Sequence, residues 1–243
     1  MEQLPFTALL NKYFGSLALA LLHALRIRVR HPAAPIRDSV AMEILVAILL
    51  LLFFFLVRSR LSVESPGGLQ HVAEWVYSFV NKQSEEIIGH DNKPYIPFLV
   101  TLGLFILPCN LLGLVPGFES PTANPSVPLG CAVVTFIYYN LQGIKKQGAL
   151  RYAAHFAGPM PALAILMVPI ELISHTARML SLTVRLFANM FAGDMVTLIF
   201  FSLVPLGIPI VFMGLHMAVS IIQTYVFVLL AMVYLGGAVA EGH

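Results

Sequence analysis

Apolar runs of membrane length, separated by short polar breaks, dominate the chain. Residues 40–57 hold a single charge, Glu43, over close to the ~20 residues that a helix needs to cross a bilayer core. Residues 95–114 form a second run, with Thr101 and Asn110 inside it, and residues 129–141 a shorter third. Two longer runs follow, 161–204 and 210–240. Residues 66–89 differ, because Glu74, Lys82, Glu85 and Glu86 interrupt the apolar positions. That pattern predicts an amphipathic helix lying at the interface and ended by Gly89. The whole predicts an all-α polytopic membrane protein: about five membrane helices, an amphipathic interfacial helix, and a long tilted C-terminal helical hairpin. Residues 40–243 read as one membrane domain. Residues 1–39 are set apart as an N-terminal interfacial segment. Its apolar stretch, 9–25, is broken by Asn11, Lys12 and His23 and is followed by Arg26, Arg28 and Arg30. This is the reverse of a signal peptide's charge order, so an interfacial helix is preferred to a span, with Pro32 and Pro35 ending it.

Basic residues orient these runs. Arg58 and Arg60 close the first span, and Lys145, Lys146 and Arg151 follow the third; both ends belong in the cytoplasm by the positive-inside rule. The loop 116–128 carries Glu119 and no basic residue, which places it outside. The same alternation puts Arg26, Arg28, Arg30 and Arg37 outside, against the rule. At ~1.5 Å per residue the run 161–204 would reach about 60 Å, twice the hydrocarbon thickness. It must be broken or strongly tilted, and Pro169 predicts a kink near its start.

Two polar stripes cross this apolar background. Counting at about 100° per residue from Glu171, the residues His175, Arg178, Arg185 and Asn189 share one helical face. His216, Ser220, Gln223, Phe227, Tyr234 and Glu241 share another. Such faces meet protein or water rather than hydrocarbon. Arg185 has apolar sequence on both sides, and an arginine in mid-membrane costs roughly 2.5–3.5 kcal/mol on insertion scales. The antiparallel hairpin groups Asp194 with His216, Arg185 with Gln223, and Glu171 with Glu241. No carboxylate of the chain shares the depth of Arg185, so its counter-charge is expected from a second protein. An ion path is favoured over a purely structural polar network.

Composition narrows the function class. With 58% hydrophobic and 11% charged residues and a mean hydropathy of +0.86, the chain cannot be a soluble domain. Its net charge of +2 carries no partner information. Cys109 and Cys131 have no metal-ligand or redox spacing and read as buried free thiols. There is no phosphate loop, nucleophile elbow or zinc pattern, so nucleotide chemistry lies elsewhere. No nucleic-acid partner and no cofactor are expected, and no internal repeat stands out.

The segment SLTVRLFANMFAGD at 181–194, followed by HMAVSIIQTYVFVLLAMVYLGGAVAEGH at 216–243, resembles the C-terminal helix pair of subunit a of the rotary F-type ATP synthases. NLLGLVP at 110–116 resembles an earlier helix of the same family, and the likeness runs from about residue 60 to the end. The resemblance implies a non-catalytic, proton-conducting stator subunit. Two offset half-channels would serve the carboxylates of a rotating c-ring, with a peripheral stalk subunit b and other synthase subunits as partners, in a bacterial inner membrane. It implies that Arg185 attracts the deprotonated rotor carboxylate and separates the half-channels. Asn189 and Gln223 match its polar neighbours, or simply join two helices by hydrogen bonding. Asp194, where other members carry Glu or His, and His216 would belong to the outer half-channel; a packed, satisfied histidine is the alternative for His216. Glu171, with His175 and Glu241, would form the inner half-channel, or Glu171 would anchor at the interface. Arg178 would meet lipid headgroups, and Asn110 and Glu119 would line the outer entrance. Two other readings of the stripes stand beside this one: a haem site ligated by His175 and His216, and a substrate transporter with broken helices.

Overall fold

A computed structural model describes residues 4–24, 34–115, 118–148, 152, 164–203 and 207–240. Among the described residues the chain forms seven α-helices and no strand: α1 (Pro5–Ala24), α2 (Asp38–Ser59), α3 (Gly68–Ile88), α4 (Ile96–Leu111), α5 (Ser126–Gln147), α6 (Ala164–Leu203) and α7 (Ile208–Val239). Six of them, all but α3, are long and apolar enough to cross a membrane. The all-α polytopic expectation therefore holds, with α1 also of spanning length.

Helix ends follow local chemistry. Gly89 and Gly148 close α3 and α5 at φ 97° and 84°, a left-handed region that costs glycine nothing. Each donates its N–H back into the last turn, to the carbonyls of Glu85 and Ile144. The third apolar run, short in sequence, lengthens to twenty-two residues because its polar ends at Ser126 and Lys145–Gln147 join the helix. Residues 161–204 resolve the choice between breaking and tilting. The described part is one uninterrupted helix of forty residues with Pro169 inside it. At ~1.5 Å per residue it is about 60 Å long, so it lies steeply tilted across a ~30 Å core.

Contacts between chain-distant residues fix which ends share a side. Asn124 donates to Ser39 at 3.4 Å, joining the start of α2 to the turn before α5. At the opposite end Gln147 donates to the carbonyls of Ala238 and Ala240 at 2.9 and 2.8 Å, and Lys146 pairs with Asp91 at 3.5 Å. The second end carries Arg58, Arg60, Lys145 and Lys146. We call it the basic end.

The core lies between α3, α4, α5, α6 and α7, around Ile96, Leu99, Ile106, Tyr139, Leu186, Met190, Phe227 and Leu235. α7 is its axis: 44% of its apolar window is buried, against 11% for α6. α6 lies on the outside of the bundle and turns one flank away from its own chain. Cys109 and Cys131 are free and buried, as their sequence context predicts.

Candidate functional site

The two stripes meet along α6 and α7. His216, Ser220, Gln223 and Phe227 are all buried, so the α7 stripe faces protein along its middle. On α6, Leu182, Leu186 and Met190 point into the core while Val184 and Phe191 are exposed. Arg185 sits at the boundary between these faces, half-buried. Its side chain reaches Ser181 Oγ at 3.4 Å. Among the described residues no carboxylate lies within 4.0 Å of it. One turn further on, Asn189 Nδ2 donates to Gln223 Oε1 at 2.6 Å, tying α6 to α7 at the depth of the arginine.

Away from the basic end lies an outer cluster. Asp194 Oδ1 is 3.7 Å from His216 Nδ1, and both ring nitrogens of His216 are buried without a hydrogen-bond partner among the described residues. A buried polar group left unbonded costs about 1–3 kcal/mol, which gives both nitrogens a reason to take a partner such as the Asp194 carboxyl. Two glycines make room for the pair. A Cβ at Gly193 would lie 2.9–3.1 Å from the imidazole, and one at Gly113 would lie 2.7 Å from Asp194 Oδ1. Asp194 opens into a cavity of about 580 Å³ that is also lined by Glu119, Ser120, Thr197 and Ser202. Burial, and then the nearby Asp38, raise the Glu119 carboxyl above its ordinary range.

Behind this cavity is a buried polar network. Asn110 Nδ2 donates to Thr224 Oγ1 at 3.0 Å and to the Ser220 carbonyl at 3.3 Å. Its Oδ1 accepts from Thr122 at 2.7 Å, and Ser120, 2.9 Å from Thr122, donates to the Cys109 carbonyl. Asn110 thus joins α4, α7 and the outer turn rather than lining the large cavity.

The inner cluster lies toward the basic end. His175 Nε2 is 3.2 Å from Glu171 Oε1, and Arg178 Nη2 is 4.0 Å from the same oxygen. Arg178 also lies over the Tyr234 ring, 5.5 Å from its centroid. Tyr139 Oη is 2.9 Å from His175 Nδ1. These groups, with Tyr152 and Gln147, line a cavity of about 180 Å³. Arg178, expected at lipid headgroups, sits against Glu171 and Tyr234 with its side chain partly exposed. Glu241 lies outside the described residues.

The structure therefore brings together Asp194 with His216, Asn189 with Gln223, and Glu171 with His175 and Arg178. Tyr139, Tyr152, Ser120, Thr122 and the two glycines escaped the sequence reading, because they lie off the stripes or in a loop that reads as solvated. Among the described residues no group of three His, Cys, Asp or Glu side chains has the geometry of a metal site.

Comparison with known proteins gives one family. Residues 40–236 match the family model described as ATP synthase A chain. A protein of Koribacter versatilis named ATP synthase subunit a is 56% identical over 242 residues, covering 100% of this chain and 99% of the relative. Its namesake in Solibacter usitatus is 54% identical over 211 residues, covering 87% and 91%. One in Geotalea uraniireducens is 44% identical over 206 residues, covering 85% and 89%.

Proposed function

The chain belongs to the ATP synthase A chain family, and from that premise we propose that it forms the two half-channels through which protons reach and leave a rotating c-ring. As a subunit a it is a multi-pass membrane protein of proton transport and ATP synthesis that associates with other synthase subunits. The finer reading adds the c-ring on the exposed flank of α6, a peripheral stalk subunit b as a further partner, and a bacterial inner membrane with the basic end in the cytoplasm. Catalysis of ATP formation then belongs to other chains.

One observation carries this reading. Arg185 stands on the most exposed long helix of the core bundle, at the edge of its outward flank, with no carboxylate of the described chain within 4.0 Å. A fixed cation in an apolar slab calls for a counter-charge, and a rotor carboxylate supplies one. Protons enter by the cavity at Glu119 and Asp194, pass His216, and neutralise a rotor carboxylate that then turns into lipid as the acid. After most of a rotation the acid meets the inner cluster, loses its proton past Glu171, and is drawn back to Arg185. A guanidinium stays protonated and relays no protons, so it also separates the two clusters.

Cysteine cross-linking in native membranes tests the placement. Leu182 is buried at 3% exposure and is a poor probe; Val184 and Ala188 are exposed. Val184→Cys and Ala188→Cys are expected to cross-link to cysteines flanking the ring carboxylate. Absence of cross-links from both, with the thiols shown to be reactive, would remove the ring from this face.

A further inference from the structure

Glu43 is the single charge of residues 40–57, and neither polar stripe accounts for it. It lies on α2 five residues past Asp38, about 7–8 Å along the helix from the end opposite the basic one. It is half-buried, and among the described residues no cation lies within 4.0 Å of it. It lines a cavity of about 300 Å³ walled by α2, α4 and α5. That wall is graded from polar to apolar. Ser126, the first residue of α5, stands at the outer end, and Gly130 and Val134 follow one and two turns deeper on the same face. α4 runs the opposite way, so Thr101 and Phe98 line the deeper part. Thr101 donates its hydroxyl hydrogen to the Pro97 carbonyl at 2.7 Å and asks for no other partner. Phe98 stacks on Tyr138 with ring centroids 3.8 Å apart. Val134 is 55% exposed, so the cavity opens sideways toward lipid.

A carboxylate inside an apolar span is costly unless a cation neutralises it. The cavity beside Glu43 is polar at its outer end and apolar below, which is the shape of an amphiphile. We propose that it holds an outer-leaflet phospholipid with a primary-amine headgroup. The ammonium donates to the Glu43 carboxylate, and one acyl chain lies over Gly130, Thr101, Val134 and Phe98. Depth agrees, because the headgroup layer adds about 5–8 Å on each side of the hydrocarbon core. A primary ammonium offers three N–H donors to a carboxylate that only accepts. A choline headgroup has no N–H to donate and selects aromatic cages, and a net anionic headgroup is repelled by Glu43. Gly130 supplies room for the chain: a Cβ there would meet no protein atom within 4 Å. The cavity shares no lining residue with those of the outer and inner clusters. From the half-channel reading it takes only the orientation of the basic end, which names the leaflet.

The test uses the whole synthase reconstituted in liposomes that contain a photoreactive lipid. The probe is phosphatidylethanolamine, phosphatidylcholine or phosphatidylglycerol, each with a diazirine in the acyl chain, and labelled peptides are quantified by mass spectrometry. Leu51 and Phe55 on α2, 72% and 69% exposed, report lipid in passing contact. Relative to them, the ethanolamine probe is expected to label segments 98–105 and 130–134 about fivefold more than either other probe. Glu43→Gln keeps the size and removes the charge, so it should erase that preference. Gly130→Leu keeps the charge and fills the cavity, so it should lower labelling of both segments by every probe. Equal labelling by the ethanolamine probe and either other probe would overturn the proposal. So would a preference that survives in Glu43→Gln, or a Gly130→Leu variant that labels like wild type. Segments that stay unlabelled beside labelled Leu51 and Phe55 would overturn it too, and would point to a protein helix over the cavity. If a variant does not assemble, the three-headgroup comparison in wild type decides alone. None of these outcomes touches the half-channel reading, which the Arg185 variants test separately.

Discussion

Asn189 Nδ2 donates to Gln223 Oε1 across 2.6 Å, one turn from Arg185, and so fixes the orientation of the glutamine amide. That orientation leaves Gln223 Nε2 buried with no hydrogen-bond partner among the described residues. A donor in that position is costly unless it serves the site, since an unmade buried bond costs about 1–3 kcal/mol. The two amides should therefore behave as a unit. In proton-driven synthesis, the double variant Asn189→Ala/Gln223→Ala is expected to fall about two- to tenfold less than the product of the single losses. Simple multiplication would show that the hydrogen bond has no role in turnover.

The His216–Asp194 pair depends on two missing side chains. Gly193→Val places atoms within 3.1 Å of the imidazole, and Gly113→Val places them 2.7 Å from the Asp194 carboxylate. Overpacking of this kind costs about 1–3 kcal/mol. Both variants are expected to assemble at reduced levels and to lose most driven synthesis. Shrinking the neighbour, as in Gly193→Val/His216→Ala, should restore assembly but not synthesis. Recovery of synthesis would mean that His216 carries no protons.

The Asn110 network should govern stability. Asn110→Leu deletes the buried bonds to Thr122 and Thr224, although Thr122 keeps Ser120 and Thr224 still donates to the Ser220 carbonyl. Each lost bond costs about 0.5–1.5 kcal/mol. The amount of subunit retained in membranes, read by immunoblot after a synthesis block, should fall sharply. Thr122→Val removes a donor while Asn110 keeps its bonds to α7, so its effect should be smaller. Equal effects would contradict the network's hierarchy.

Much of this arrangement is written in the periodicity of the chain. The α6 and α7 stripes were legible because a charged group in an apolar helix has few places to go, and the antiparallel hairpin then paired Asp194 with His216 by depth alone. Other features depend on contacts far apart in sequence. Tyr139 is one tyrosine in an apolar run, and only the packing of α5 against α6 brings it to His175. Ser120 and Thr122 sit in a proline-rich loop that reads as solvated, yet they fold beneath Asn110 at 1% and 0% exposure. Arg178 shares the Glu171 stripe, but its tyrosine platform was not legible because Tyr234 comes from α7. The uninterrupted course of α6 past Pro169 was equally hidden. A proline disturbs a helix locally, and flanking packing decides whether the helix ends.

The central claim is that Arg185 pairs with a carboxylate outside this chain and bars protons from crossing directly. The most direct measurement compares wild type with Arg185→Ala in membrane vesicles, reading proton-driven ATP synthesis and passive proton conduction together. The expected result is loss of synthesis with a rise in passive conduction, because attraction and barrier vanish at once. Driven synthesis that persists in Arg185→Ala would contradict the account.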